Sequence, residues 1–157
     1  MQALKQENVR FDRVISDNGS GYVKMGFGND QFPRHVLPSI IGRPMLRANQ
    51  KIGDVELKEV MCCDEAAPLR AALEIKYPLI EGTIRDWTDM ELIWDYCFHK
   101  KLELPENKLD KRILLTEPAR NPKKNREKMG EIMFEKFGFG GVLFEYQSLL
   151  TLMAEGR

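Results

Sequence analysis

Between Asp17 and Lys24 the chain reads DNGSGYVK, which sets a carboxylate, two glycines, a serine and a lysine within eight positions. These are the residue types that a phosphate group requires. Backbone N–H groups must point into one concavity, small residues must leave the approach open, and a cation must stand against the charge. On this reading Gly19, Ser20 and Gly21 form the nest of amides, Lys24 reaches back from the next strand, and Asp17 is placed to hold magnesium. That ion prefers carboxylate and water ligands beside phosphates. The same string also reads as an Asn-Gly hairpin with an exposed lysine, because Asn18 and Gly19 both tolerate positive φ. Neither G-x-x-x-x-G-K-[ST] nor G-x-G-x-x-G occurs in the chain, so local sequence alone leaves both readings open.

Flanking elements must hold this string in place. RFDRVISD, GYVKMGFG and HVLPSIIG predict three opening strands, the first two paired antiparallel. The charged stretch from Met45 to Cys63 predicts a small hairpin turning at Gly53-Asp54, an excursion with little core of its own. DEAAPLRAALE predicts a short helix capped by Asp64 and limited by Pro68, and LEIKYPLI an extended return. A longer helix is predicted from Asp86 as N-cap, with Asp89 three residues on and Trp87, Met90, Trp94 and Cys97/Phe98 on one face. RILLTEP reads as a strand stopped by Pro118. The next helix is predicted to start with Asn121 as cap and Pro122 at its first position, burying Met129, Ile132, Met133 and Phe137. GGVLFEY then reads as a strand, and QSLLTLMAEGR as a helix that stops at Gly156, with Gln147 as a polar residue at its start. Strand, helix, strand, helix predicts an α/β fold in which right-handed crossovers extend the opening sheet in parallel.

Composition narrows the function classes. Lys+Arg and Asp+Glu both number 24, which argues against a generally basic nucleic-acid binder. With 43% hydrophobic residues the 157-residue chain has material for a core, so disorder is not expected. No apolar run approaches the roughly 18 residues of a membrane span, and MQALKQENVR lacks the apolar centre of a secretory signal. A soluble cytoplasmic protein is expected, with neither nucleic acid nor membrane as partner. Cys62, Cys63 and Cys97 show no C-x-x-C or zinc spacing and read as reduced thiols. Cys97 with His99 has the types for half a metal site, but no second pair lies nearby, so Cys97 is read as a partly buried cysteine. Lys123, Lys124, Arg126 and Lys128 read as a solvated helical face.

Longer strings decide what the loop leaves open. DNGSGYVKMGF, LPSIIGRP, DEA, KYPL, WTDMELIWDYCF, LLTEPARNPKKNREKMGEIMFEKF and YQSLLTLMAEGR are similar to actins and actin-related proteins, in family order from about Val14 to Arg157. Within the family, QKIGDVELKEVMCCDEA and WDYCF resemble the actin-related branch more than conventional actin, whose excursion is shorter, more apolar and glycine-containing. The resemblance implies the N-terminal half of an actin-like ATPase (ribonuclease H-like) fold, the fold of sugar kinases and 70-kilodalton chaperones. It has a mixed sheet with flanking helices: residues 1–44 and 83–157 would be a first subdomain and residues 45–82 a small inserted one.

The resemblance also implies ATP and Mg2+ in a cleft between two similar halves. Asn18, Gly19, Ser20 and Gly21 would hold phosphates, Lys24 would bridge the β- and γ-phosphates, and Asp17 would hold the metal through water. Gln147 would be the catalytic residue that positions the attacking water. The implied protein is an actin-related subunit of a cytoskeletal complex that nucleates branched filaments, with other subunits, actin and nucleation-promoting factors as partners. Alternatives are a conventional filament protomer, or a non-catalytic actin-like subunit of another cytoskeletal or axonemal assembly. Two departures stand out: Glu81 replaces a histidine of actin shortly after the KYP string, and Cys63 replaces a glycine before DEA. The sequence stops at LMAEGR, where the family's second phosphate loop is expected to follow. These residues alone are therefore not expected to bind ATP tightly or hydrolyse it, and Leu149, Leu150 and Leu152 are expected to be exposed.

Overall fold

A computed structural model describes residues 13–45, 51–52 and 55–156. Two alternating strands open it. In β1 (Arg13–Asn18) Val14, Ser16 and Asn18 are buried, and in β2 (Tyr22–Phe27) Val23, Met25 and Phe27 are buried. Asp17 and Lys24 lie opposite one another in the antiparallel register, on the other face. β3 (His35–Pro38) pairs with β2. The single run HVLPSIIG becomes two strands, because Ser39 turns back on the first hairpin. Its amide donates to Gly21 O at 3.0 Å and its hydroxyl to Gly19 O at 2.6 Å. Beyond it β4 (Ile41–Pro44) leaves for a second sheet.

In the excursion β5 (Lys51–Ile52) pairs antiparallel with β6 (Val55–Glu56), while the expected Gly53-Asp54 turn lies outside the described residues. β7 (Met61–Cys62) leads into α1 (Cys63–Ala66), a 3-10 segment (Ala67–Ala72) and β8 (Leu73–Lys76). β4 sits between β7 and β8, antiparallel to both, over a small cluster of Ile40, Leu57, Met61, Ala66 and Leu73. Gly42 is tightly enclosed there, since a Cβ would lie 2.6 Å from Leu73 Cδ1 and 3.1 Å from Ala66 Cβ. Asp64 is not the cap of α1. Cys62 precedes the helix without a side-chain cap, and Asp64 instead accepts from Tyr96 Oη at 2.7 Å and Lys101 Nζ at 2.5 Å.

The chain returns through the hairpin of β9 (Leu79–Ile80) and β10 (Thr83–Ile84), whose turn is Glu81 and Gly82, both at positive φ. α2 (Trp87–Asp95) starts as expected, with the Asp86 carboxylate accepting from the Asp89 amide at 3.0 Å. It runs on as a wider π-helical turn over Tyr96–Lys101. β11 (Lys108–Glu117) then lies parallel to β1. α3 (Lys123–Glu131) begins one residue later than expected: Pro122 is its N-cap, and Asn121, outside the helix, donates to Glu117 instead of capping. This helix also ends in a π-helical turn, Ile132–Lys136. β12 (Phe139–Tyr146) is parallel to β11, and α4 (Gln147–Ala154) follows it to a stop at Gly156, φ 71°.

The main sheet therefore has the order β12-β11-β1-β2-β3, parallel on one side and antiparallel on the other. α2 and α3 cover one of its faces. Met90, Ile93, Trp94, Cys97 and Phe98 of the first meet Met129, Ile132, Met133 and Phe137 of the second over Val14, Val23, Ile113 and Leu115. The expected buried positions of both helices are inside, with Trp87 half-buried at the edge. Phe98 meets Phe137 at 5.1 Å and Phe139 at 5.3 Å, both edge-on, the favoured geometry for aromatic pairs. A forked ion pair ties β4 to α2: Arg43 donates to Asp89 at 2.5 and 3.1 Å, with Asp89 only 2% exposed. No helix among the described residues is long and apolar enough to cross a membrane.

Candidate phosphate site

The C-terminal ends of three neighbouring parallel strands, β1, β11 and β12, come out together, which is where open α/β sheets present ligand sites. Asp17 is the meeting point. Its Oδ1 accepts from Thr116 Oγ1 at 2.6 Å and from Gln147 Nε2 at 3.1 Å, and its Oδ2 from Lys24 Nζ at 3.3 Å. Three residues from distant parts of the chain thus converge on one carboxylate. The Asp17–Lys24 pair is partly solvated, with Lys24 49% exposed, so it stabilises the fold little and leaves the ammonium available to a ligand.

Gln147 opens α4 directly after β12. Its Nε2 also lies 3.2 Å from Thr116 Oγ1 and 3.4 Å from Asn18 O. Asp17 and the Asn18 carbonyl only accept, so the amide orientation is determined and the Gln147 Oε1 remains an acceptor.

The loop between the strands differs from the hairpin expected of Asn-Gly. Neither Asn18 nor Gly19 has positive φ. Glycine is needed at 19 for proximity: a Cβ there would lie 2.6 Å from Tyr22 O, and the Gly19 amide donates to that same oxygen at 3.1 Å. The Asn18 amide is likewise used, donating to Thr116 Oγ1 at 3.1 Å. Among the described residues the Ser20 and Gly21 amides have no acceptor within the protein, which reduces the expected nest to two donors. Ser20 Oγ accepts from the Gly82 amide at 2.8 Å, so the Glu81-Gly82 turn leans on the loop.

The Asn18 side chain points inward, its Oδ1 accepting from Trp94 Nε1 and Ser16 Oγ, both at 3.1 Å. Thr116, Ser39 and Gly82 were not singled out by sequence, although each touches the loop or its carboxylate. Thr116 is buried at the strand end before Pro118, where Leu115, Thr116 and Glu117 are buried in succession and no alternation marks it out.

Beside Thr116, the buried Glu117 carboxylate pairs with Arg126 and accepts from Asn121 at 2.9 Å. The hydrogen bond to Glu117, followed by that to Tyr146, raises the Arg126 pKa and keeps the guanidinium charged. Arg126 apart, the basic start of α3 is the expected solvated face: Lys123, Lys124 and Lys128 are exposed, Lys123 pairing with Glu127 along the helix and Lys128 lying over the Trp87 ring.

All three cysteines are free and buried. Burial, then the neighbouring Cys63, pushes the Cys62 thiol up to about 12. Cys63 sits at φ 53°, in the left-handed region that a glycine occupies without strain. His99 is held between Asp95 and Lys108, each at 3.0 Å, and no group of His, Cys, Asp or Glu able to hold a metal is gathered among the described residues. The paired reading of Cys97 with His99 as half a metal site is thus not supported. A single carboxylate at Asp17 suits a magnesium ion that keeps most of its waters.

Comparison with known proteins places this geometry in context. The family described as Actin matches residues 9–157. Proteins called actin-related protein 2 are similar over 91% of the chain: one from Schizosaccharomyces pombe at 50% identity, one from Drosophila melanogaster at 49% and one from Acanthamoeba castellanii at 48%. The chain spans 36–37% of the length of these relatives.

Proposed function

The chain belongs to the actin family, and from that premise we propose that it supplies the first phosphate-holding wall of an ATP-binding actin-related subunit. The observation that carries this reading is the convergence of Lys24, Thr116 and Gln147 on Asp17 beside two unpaired amides. Bound ATP with Mg2+ would supply a transferable terminal phosphate and a divalent charge that neutralises it. The Ser20 and Gly21 amides would donate to phosphate oxygens, with Gly19 shaping the turn and the Asn18 backbone anchoring it. Lys24 would balance phosphate charge from the second strand. Asp17, its Oδ1 already bound by Thr116 and Gln147, would present carboxylate charge to a hydrated Mg2+. Gln147, its amide nitrogen committed, would hold a water through Oε1 without taking its proton, as positioning of a nucleophile requires.

The names of the relatives support assigning the complete protein to an actin-related protein 2/3 complex that nucleates branched actin filaments. Other subunits, actin and nucleation-promoting factors are then its partners and the cytoplasmic cytoskeleton its location. In this reading residues 45–82 form an inserted subdomain and residues 1–44 with 83–157 the body, whose β4 (Ile41–Pro44) crosses over to pair within the sheet of the insert.

The test uses the full-length protein and a fluorescent ATP analogue. Lys24→Ala should weaken binding about tenfold or more, whereas Gln147→Ala should slow hydrolysis and leave affinity within about threefold. Equal loss of binding and hydrolysis in both variants would overturn the roles. Filament formation by the isolated protein at concentrations where actin polymerises would overturn the assignment to a nucleating complex.

A further inference from the structure

Behind the phosphate loop lies a small cavity of about 10 Å³, as traced by the centre of a water molecule, lined by Asn18, Thr116, Glu117, Asn121 and Asn125 with apolar neighbours. That is about the smallest space that admits one water. Asn18 is 3% exposed, and its Nδ2 has no hydrogen-bond partner among the described residues. Turning the amide over would not help, because its Oδ1 accepts from Trp94 Nε1, which can only donate. The Asn18 N–H groups are therefore buried donors that call for an acceptor.

The other polar groups around the cavity are equally constrained. Asn121 Nδ2 donates to the Glu117 carboxylate at 2.9 Å, and Asn125 Nδ2 donates to Ile84 O at 3.3 Å. Both partners only accept, so the two amide orientations are fixed and each asparagine keeps its carbonyl oxygen together with one further N–H. Thr116 Oγ1 is used by Asp17, Asn18 N and Gln147, and the Glu117 carboxylate by Arg126 and Asn121. The lining thus sets the one unpartnered donor, Asn18 Nδ2, against two carbonyl acceptors.

From this pattern we propose that the cavity is a binding site for a single water molecule, which accepts from Asn18 and donates to Asn121 and Asn125. A cation would face the Asn18 N–H, and an anion would face two carbonyl oxygens beside a carboxylate; a neutral molecule with two donors and an acceptor matches all three. The water links the end of β1 to the segment leading into α3 from beneath the phosphate loop. This site is independent of whether a nucleotide occupies the cleft.

The test is a crystal structure of the full-length protein at about 1.8 Å or better. One spherical peak about 3 Å from Asn18 Nδ2 and from Asn121 or Asn125 Oδ1 is expected. An empty cavity, a direct bond from Nδ2 to a protein oxygen, or a nucleotide phosphate on Nδ2 would overturn the proposal. Counting long-lived internal waters by oxygen-17 relaxation dispersion gives a second readout. Asn125→Leu, which removes one acceptor and fills space, should lose one such water relative to wild type, and an unchanged count would also overturn it.

Discussion

Replacing Thr116 by valine removes one oxygen and nearly preserves the side-chain shape, so its cost isolates what the hydroxyl does at the centre of the phosphate site. Three hydrogen bonds meet at that oxygen: one given to Asp17 at 2.6 Å and two received, from the Asn18 amide at 3.1 Å and Gln147 at 3.2 Å. The bond to a charged acceptor is worth about 1.5–3 kcal/mol, and leaving the buried Asn18 N–H without a partner costs about 1–3 kcal/mol more. Gln147 is half-buried and can turn to water, and the added methyl regains about 0.8 kcal/mol by burial. The net destabilisation of Thr116→Val is then about 2–5 kcal/mol. Thr116→Ser, which retains the hydroxyl and loses only a methyl, should cost about 1 kcal/mol. The assay is urea unfolding of the full-length protein followed by a probe in this domain, comparing midpoints of both variants with wild type. If serine proves as damaging as valine, or valine lies within about 0.5 kcal/mol of wild type, the hydroxyl does not organise the site.

Arg43→Met should destabilise the protein by about 2–4 kcal/mol, because it strands the buried Asp89 carboxylate, and Arg43→Lys should restore only part of that, since an ammonium cannot make the forked contact; urea midpoints measure both. Burial pushes the Asp64 carboxyl up, but hydrogen bonds from Lys101 and Tyr96 outweigh it and hold the group below its ordinary value. A depressed carboxyl stabilises the fold above its unfolded value of about 3.9 and loses that contribution as pH falls through the folded one. Asp64→Asn should therefore cost stability at pH 7 and progressively less below about pH 4, and a pH-independent difference in midpoint would refute the ionic role. Cys63→Val should be less stable than Cys63→Ala by about 1–2 kcal/mol, since a β-branched residue tolerates the left-handed region poorly, and thermal unfolding ranks the pair.

Elements with strong periodicity were readable in advance. The stripe Met90, Trp94, Cys97, Phe98 and the stripe Met129, Ile132, Met133, Phe137 both face the core, and Asp86 caps its helix as its spacing implies. What sequence could not disclose were partnerships across the fold. Asp64 looks like a cap because it precedes Glu-Ala-Ala, yet Lys101, 37 positions later, competes for its carboxylate. Asn121 has the right type to cap α3, but the buried Glu117 needs its amide. Asn-Gly signals a positive-φ turn, whereas Gly19 is small for the sake of the Tyr22 carbonyl. At the candidate site, Asp17 and Lys24 were picked out by the residue types of the loop and Gln147 by a pattern shared with a family, and the geometry brings the three together. Thr116 was hidden inside an apolar strand, where only its register beside β1 reveals that its hydroxyl meets Asp17.

Both main helices widen at their ends: the Leu102 amide reaches back five residues to Cys97 O at 3.0 Å, and the Phe137 amide to Ile132 O at 3.1 Å. Such a coil accommodates one residue more than an ordinary turn without shifting the phase of what precedes it. These two places are where the length of the polypeptide can change by one while the buried stripes stay in step. Insertions and deletions among relatives should accumulate there rather than along Trp87–Asp95 or Lys123–Glu131, where a single skipped residue would rotate the remaining apolar positions by about 100° and turn them away from the sheet.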